Sequence, residues 1–122
     1  MRFFLKKKYL LPEGFKSSGI PGGIRKSRQR ADTGLIVSDA PCSKAVFFTK
    51  NRLKSEHIKH AKKIKGKVLA VFANSGNANV FVGGKGERDI AVLEKELRLQ
   101  TGIKKGGILF CVYGDNRKKA SC

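Results

Sequence analysis

Residues 74–79 read Asn-Ser-Gly-Asn-Ala-Asn and follow directly on the apolar run Val68-Leu69-Ala70-Val71-Phe72-Ala73. Each Asn carries an amide that both donates and accepts hydrogen bonds. Asn and Gly also tolerate left-handed backbone conformations, and Asn bonds readily to its own backbone. A strand that ends in such a segment runs into a shaped loop rather than a linker. Two roles fit these residue types: a turn whose amides hold backbone groups, or a loop built into an active site. The loop's composition does not choose between them.

Other reactive side chains are sparse. His57 and His60 lie three apart among lysines, with no acidic third ligand nearby in sequence, so they read as exposed polar residues and not as a zinc site. Gly83-Gly84-Lys85-Gly86 superficially suggests a phosphate loop but lacks the GxxxxGK[ST] spacing. Cys42 follows a proline in an expected loop, and no histidine is placed by sequence to activate it. Cys42, Cys111 and Cys122 form no CxxC pair and no even set, which fits a reduced, cytoplasmic setting. Ser38-Asp39 reads as a turn or a capping pair.

The elements that must position these groups are mixed α/β. Residues 14–24 are glycine-rich and read as an irregular strand or a loop. Residues 25–33 read as an exposed basic turn. Leu35-Ile36-Val37-Ser38 and Ala45-Val46-Phe47-Phe48-Thr49 are strand-like, closed by Asp39-Ala40-Pro41 and Lys50-Asn51. Residues 55–64 suggest a helix, with Ser55 as cap and Ile58, Ala61 and Ile64 on one face. Residues 67–73 form a buried strand, and 80–86 a glycine-rich connection. Residues 87–101 are the clearest helix. Ile90, Leu93 and Leu97 share a face with Ala91 and Glu94 alongside, acids sit at its start, Arg98 near its end, and Gly102 stops it. Ile108-Leu109-Phe110-Cys111-Val112 is a last strand.

The 122 residues make one domain at most, and 40% hydrophobic residues suffice for a core. The charge is the anomaly: 27 Lys and Arg against 9 Asp and Glu, a formal +18. Such a surface attracts polyanions whatever the fold, so a basic nucleic-acid-binding module is the alternative reading. Against it, the cations are spread along the chain and no aromatic-rich basic strand occurs. A helix-turn-helix would need two strong helices where one is found. The N-terminal Met-Arg-Phe-Phe-Leu-Lys-Lys-Lys-Tyr-Leu-Leu has charge and apolar residues in the wrong order for a signal peptide, and nothing approaches a membrane span.

Four segments occur in a fixed order: Gly-Ile-Arg-Lys-Ser (23–27), Leu-Ile-Val-Ser-Asp-Ala-Pro (35–41), Ala-Val-Phe-Phe-Thr-Lys-Asn-Arg (45–52) and Ala-Asn-Ser-Gly-Asn-Ala-Asn (73–79). Together with the helix after them they closely resemble the N-terminal region of ornithine acetyltransferase, also called glutamate N-acetyltransferase, over about residues 12–111. The resemblance implies an α/β fold, a sheet packed with helices, of which this chain is the incomplete N-terminal lobe. It also implies a cytoplasmic enzyme of arginine biosynthesis that moves an acetyl group from N-acetylornithine to glutamate, some members also using acetyl-CoA as donor. No other cofactor, no metal, no specific nucleic acid and no membrane is implied. In this family the precursor cleaves itself before a threonine, which becomes the nucleophile with its own amine as base. The partner implied is the β-chain of the same precursor, in an α2β2 assembly.

The family's oxyanion donors lie in a segment resembling S-T-G-I-I-G, and its nucleophile in one resembling A-T-M-L. This sequence contains no A-T-M-L, and residues 112–121 read Val-Tyr-Gly-Asp-Asn-Arg-Lys-Lys-Ala-Ser. The string TCT ACG GGG ATA ATC GGA AAA AAG CTT CC encodes S-T-G-I-I-G-K-K-L. One G placed before it yields GTC TAC GGG GAT AAT CGG AAA AAA GCT TCC, which encodes residues 112–121. The expected organisation is therefore a basic segment 1–11, a family region 12–111 and an aberrant, frameshift-like tail 112–122. The oxyanion pair maps to Tyr113 and Gly114, with only the glycine retained. Asn74, Ser75, Gly76, Asn77 and Asn79 map to active-site scaffold. The polar run Asp115-Asn116-Arg117 replaces an apolar segment, so the tail is expected to be exposed and poorly ordered. Such a fragment is expected to be inactive alone.

Overall fold

The computed structural model describes residues 11–21, 31–48, 50, 52, 56–75 and 84–113 of the chain. In chain order the elements are β1 (Phe15–Ile20), β2 (Thr33–Cys42), α1 (Glu56–Lys63), β3 (Val68–Ser75), α2 (Gly84–Thr101) and β4 (Ile108–Tyr113). The strands form one sheet in the order β1-β2-β3-β4. β1 and β2 pair antiparallel, as do β2 and β3, whereas β3 and β4 pair parallel. Parallel neighbours require a long crossover, and α2 is that crossover.

Strand alternation sorts the side chains onto two faces. Leu35, Phe72 and Phe110 align across β2, β3 and β4, as do Val37, Ala70 and Ile108. These rows, with Ile90 of α2 and Ile103, form the core; Ile108 is fully buried and Phe110 only 2% exposed. Leu93 and Leu97 pack against the same cluster. The opposite face carries Phe15, Ile36, Val71 and Leu109. There Phe15 and Ile36 remain exposed.

Glycine matters at two positions around α2 and β4. Gly102 follows the helix with a φ of 73°, and its N–H donates to Arg98 O at 2.9 Å, a left-handed C-terminal cap. At Gly107 a Cβ would sit 2.6 Å from Ile103 Cγ2, so the turn into β4 closes tightly over the core only with glycine there.

Several elements differ from expectation. The expected strand over 45–49 does not form: residues 43–48 are irregular and Phe47 is 98% exposed, while Phe48 lies under Lys62 Nζ at 5.3 Å. Its β-branched and aromatic composition suggests a strand, but none of the described strands pairs with residues 43–48. β2 runs past Asp39-Ala40-Pro41 because a register shift between Val37 and Cys42 absorbs the irregularity. Ser38 Oγ donates to Ala40 O at 2.7 Å there and accepts from Cys42 Sγ at 3.2 Å, so Cys42 belongs to a strand and not a loop. The glycine-rich stretch 14–24 resolves into β1 as far as Ile20; Gly22 to Arg30 lie outside the described residues, as does Ser55, the expected cap of α1.

Candidate active site

The parallel pairing of β3 and β4 decides where the amide loop begins. Asn74 faces Val112 across the ladder, and Ser75 faces Tyr113. On the other side Asn74 faces Thr33 of β2. Three chain segments far apart in sequence thus end together: Asp32-Thr33, Asn74-Ser75 and Val112-Tyr113. The carboxyl ends of parallel strands are where open α/β sheets place ligands, since the chain leaves the sheet there in loops free to vary.

Asp32 was not anticipated; the sequence placed it in an exposed basic turn. It is 4% exposed. Its carbonyl accepts the Ser75 N–H at 2.7 Å, its N–H donates to Ile20 O at 3.1 Å, and its Oδ1 accepts from Thr33 Oγ1 at 3.3 Å. It therefore fixes the point at which the chain enters the amide loop. The signal available in the sequence was a single carboxylate immediately after the run Arg25–Arg30. Asn74 Oδ1 is buried and has no hydrogen-bond partner among the described residues. A buried acceptor left open is costly, so this oxygen calls for an N–H or O–H from outside the described residues.

Of the other residues assigned to the site, Ser75 closes β3, and Tyr113 closes β4. Gly76, Asn77, Asn79 and Gly114 lie outside the described residues, as does the polar run Asp115-Asn116-Arg117. The segment expected to be aberrant from residue 112 begins inside a strand: Val112 is half-buried and paired.

The histidines are not the exposed polar residues expected. His60 Nε2 lies 3.2 Å from Glu94 Oε2, and its ring meets Phe110 edge-on at 5.2 Å. Glu94 is buried, and its Oε1 accepts the Gly106 N–H at 3.2 Å. Its place on the apolar stripe of α2, four residues after Ile90, was the sequence signal for burial. Among the described residues no three His, Cys, Asp or Glu side chains are grouped to hold a metal ion.

Burial lowers the His57 pKa below its ordinary value. In the unfolded chain this histidine titrates near about 6.5, so below that pH the unfolded state binds more protons than the folded state. Its contribution to stability is complete above about pH 6.5 and is lost as pH falls through the lower folded value. The melting temperature should therefore decline on acidification from pH 7 towards about 5.5, and His57→Gln should flatten that part of the profile. An identical slope in the variant would remove His57 as the cause.

The fold defines an α/β class: a β-α-β crossover whose parallel strands end side by side at Asn74-Ser75 and Val112-Tyr113. The comparisons with known proteins give the particular family. The ArgJ family model matches residues 16–115. The arginine biosynthesis bifunctional protein ArgJ of Caldanaerobacter subterraneus is 36% identical over 114 residues, which cover 90% of this chain and 27% of that protein. The crystal structure of the Bacillus halodurans arginine biosynthesis bifunctional protein matches with a TM-score of 0.78 at 27% identity, over 84% of this chain and 55% of that one. Ornithine acetyltransferase from Mycobacterium tuberculosis, solved in complex with ornithine, matches with a TM-score of 0.72 at 28% identity, over 85% and 57%. The chain belongs to the ArgJ family. It spans about a quarter of the length of the curated relatives it matches. No helix among the described residues is long and apolar enough to cross a membrane.

Proposed function

We propose that this chain is a piece of a glutamate N-acetyltransferase of the ornithine acetyltransferase type, which transfers acetyl from N-acetylornithine to glutamate, and that it is inactive alone. The observation that carries this reading is the parallel register of β3 and β4. It sets Asn74-Ser75, the start of the amide segment, beside Val112-Tyr113, the segment onto which the resemblance maps the family's oxyanion turn. Acyl transfer by an N-terminal threonine needs the nucleophile, its amine as base and preorganised donors for the developing oxyanion. In this reading the chain supplies the strand that leads to the donors and, at Asn74-Ser75, the start of the segment assigned to active-site scaffold. The threonine of A-T-M-L type is not in the sequence, and Tyr113 stands where the family pattern has a threonine.

Residues 112–121 read as the product of one inserted G, as the codon string above allows. The open sheet face, with Phe15 38% and Ile36 44% exposed, supports a requirement for further chain, the β-chain of the same precursor in an α2β2 cytoplasmic enzyme. In that complete enzyme acetyl-CoA would serve as a second acetyl donor, and no other cofactor is part of the proposal.

The test has two parts. The purified chain, given N-acetylornithine and glutamate, should form no N-acetylglutamate; measurable turnover would overturn its inactivity. Resequencing the gene around codon 112 should reveal the extra base and, in the restored frame downstream, a segment of A-T-M-L type. An uninterrupted native frame lacking that segment would remove the frameshift reading.

A further inference from the structure

A concave surface among the described residues lies away from the candidate active site. It is a groove of about 1280 Å³ bordered by α1, α2 and the turns that enter β3 and β4. The parallel register that builds the candidate site at one end of the sheet also brings these two turns together. Leu69 and Ala70 N–H both donate to Gly107 O, at 2.8 and 3.1 Å. Lys65 and Lys67 flank Gly66 in the first turn; Lys104 and Lys105 precede Gly106 in the second.

All four lysines are exposed and line the groove, and none has a counter-ion among the described residues. The groove's carboxylates are already engaged. Glu56 is held by Lys59 at 2.6 Å, Glu87 by Lys63 at 3.4 Å, and Glu94 by His60 and the Gly106 N–H. Four like charges converging on one concavity repel one another unless an anion is shared between them. Val37, Ile64, Leu69, Ile90 and Ile103 give the groove an aliphatic stretch of wall, and His60 is the only aromatic ring among the described residues that line it. A single-stranded nucleic acid would want aromatic faces for its bases, which this groove does not present.

We propose that the groove binds a small phosphate-bearing molecule, its di- or triphosphate held by Lys65, Lys67, Lys104 and Lys105 and its body against the aliphatic wall. The site stands on the groove and its charges and does not depend on the acetyl-transfer reading.

Inorganic tripolyphosphate is the probe, titrated calorimetrically into the full chain at about 0.15 M salt, where exposed charges are screened beyond about 8 Å. Saturable binding is expected. The variant K65Q/K67Q/K104Q/K105Q should weaken it by at least about tenfold, while K16Q/K50Q/K62Q/K95Q, which removes the same charge from exposed lysines outside the groove, should change it by less than about twofold. Equal losses in both variants, or no binding by the parent chain, would overturn the proposal. So would a single-stranded oligonucleotide of about 12 nucleotides that displaces tripolyphosphate and depends on the same four lysines. A measurement on the unmutated chain guards against variants that fail to fold. Tripolyphosphate should protect these four lysines from acetylation by an N-hydroxysuccinimide ester more than the remaining lysines; uniform protection along the chain would overturn the site.

Discussion

Phe110→Ala is expected to destabilise the domain by about 3–5 kcal/mol. Phe110 projects from β4 onto the helix-covered face and is 2% exposed. Its ring meets His60 of α1 edge-on at 5.2 Å and Phe72 of β3 in a tilted contact at 5.8 Å. Removing the ring both returns apolar surface to water and leaves a void between sheet and helix, and the two costs add. α1 has eight residues, too few to persist without tertiary contacts. Loss of the ring should therefore loosen α1 as well. A domain of this size holds only about 5–15 kcal/mol in total, and this one leaves Phe15 and Ile36 exposed. Urea titration followed by circular dichroism should show a lower midpoint or, where the parent has little to spare, no cooperative transition. Phe110→Leu should cost less, since it keeps more of the buried volume. A loss under about 1 kcal/mol for the alanine variant would place the ring outside the core.

Glu94→Ala should cost about 2–4 kcal/mol. One carboxylate there ties together three pieces of structure: α2, on which it sits; α1, through His60; and the turn into β4, through the Gly106 N–H. Replacing it leaves the half-buried Gly106 N–H without that acceptor and His60 without its carboxylate. His60 Nδ1 is buried with no hydrogen-bond partner among the described residues, so Glu94 is the one hydrogen-bond partner found for the imidazole there. Glu94→Gln preserves an acceptor for Gly106 and should cost less than the alanine. A double-mutant cycle with His60→Ala should give a coupling of about 0.5–3 kcal/mol. Strict additivity would mean the two side chains are neighbours without an energetic link.

What was legible in the sequence follows from how locally it was encoded. The spacing of Ile90, Leu93 and Leu97 marked α2 and its buried stripe, and Gly102 its end, because a helix is written at intervals of three and four residues. The apolar runs at 68–73 and 108–112 marked β3 and β4, since a strand covered by helices reads as continuous apolar sequence. The same reasoning misled at 45–49. Val46-Phe47-Phe48 has a strand's composition, but a strand needs a partner, and β3 is already paired on both sides by β2 and β4. It also missed that β2 continues past Pro41, because a bulge is a property of two strands and not of one. Asp32 was misjudged for a related reason. A carboxylate's burial is decided by the donors that reach it, and those come from residues remote in the chain.

By itself, then, the sequence determined the helices, the core strands, the basic surface and the motif order that identifies the family. Each is encoded within a few consecutive residues or in the simple succession of such segments. Only the tertiary structure decided that β3 and β4 run parallel and side by side. That single pairing places Asn74-Ser75 against Val112-Tyr113 at one end of the sheet and two lysine-bearing turns together at the other. Strand register couples residues almost forty positions apart, and it is set by which faces can be buried against α1 and α2, a choice that no local pattern encodes.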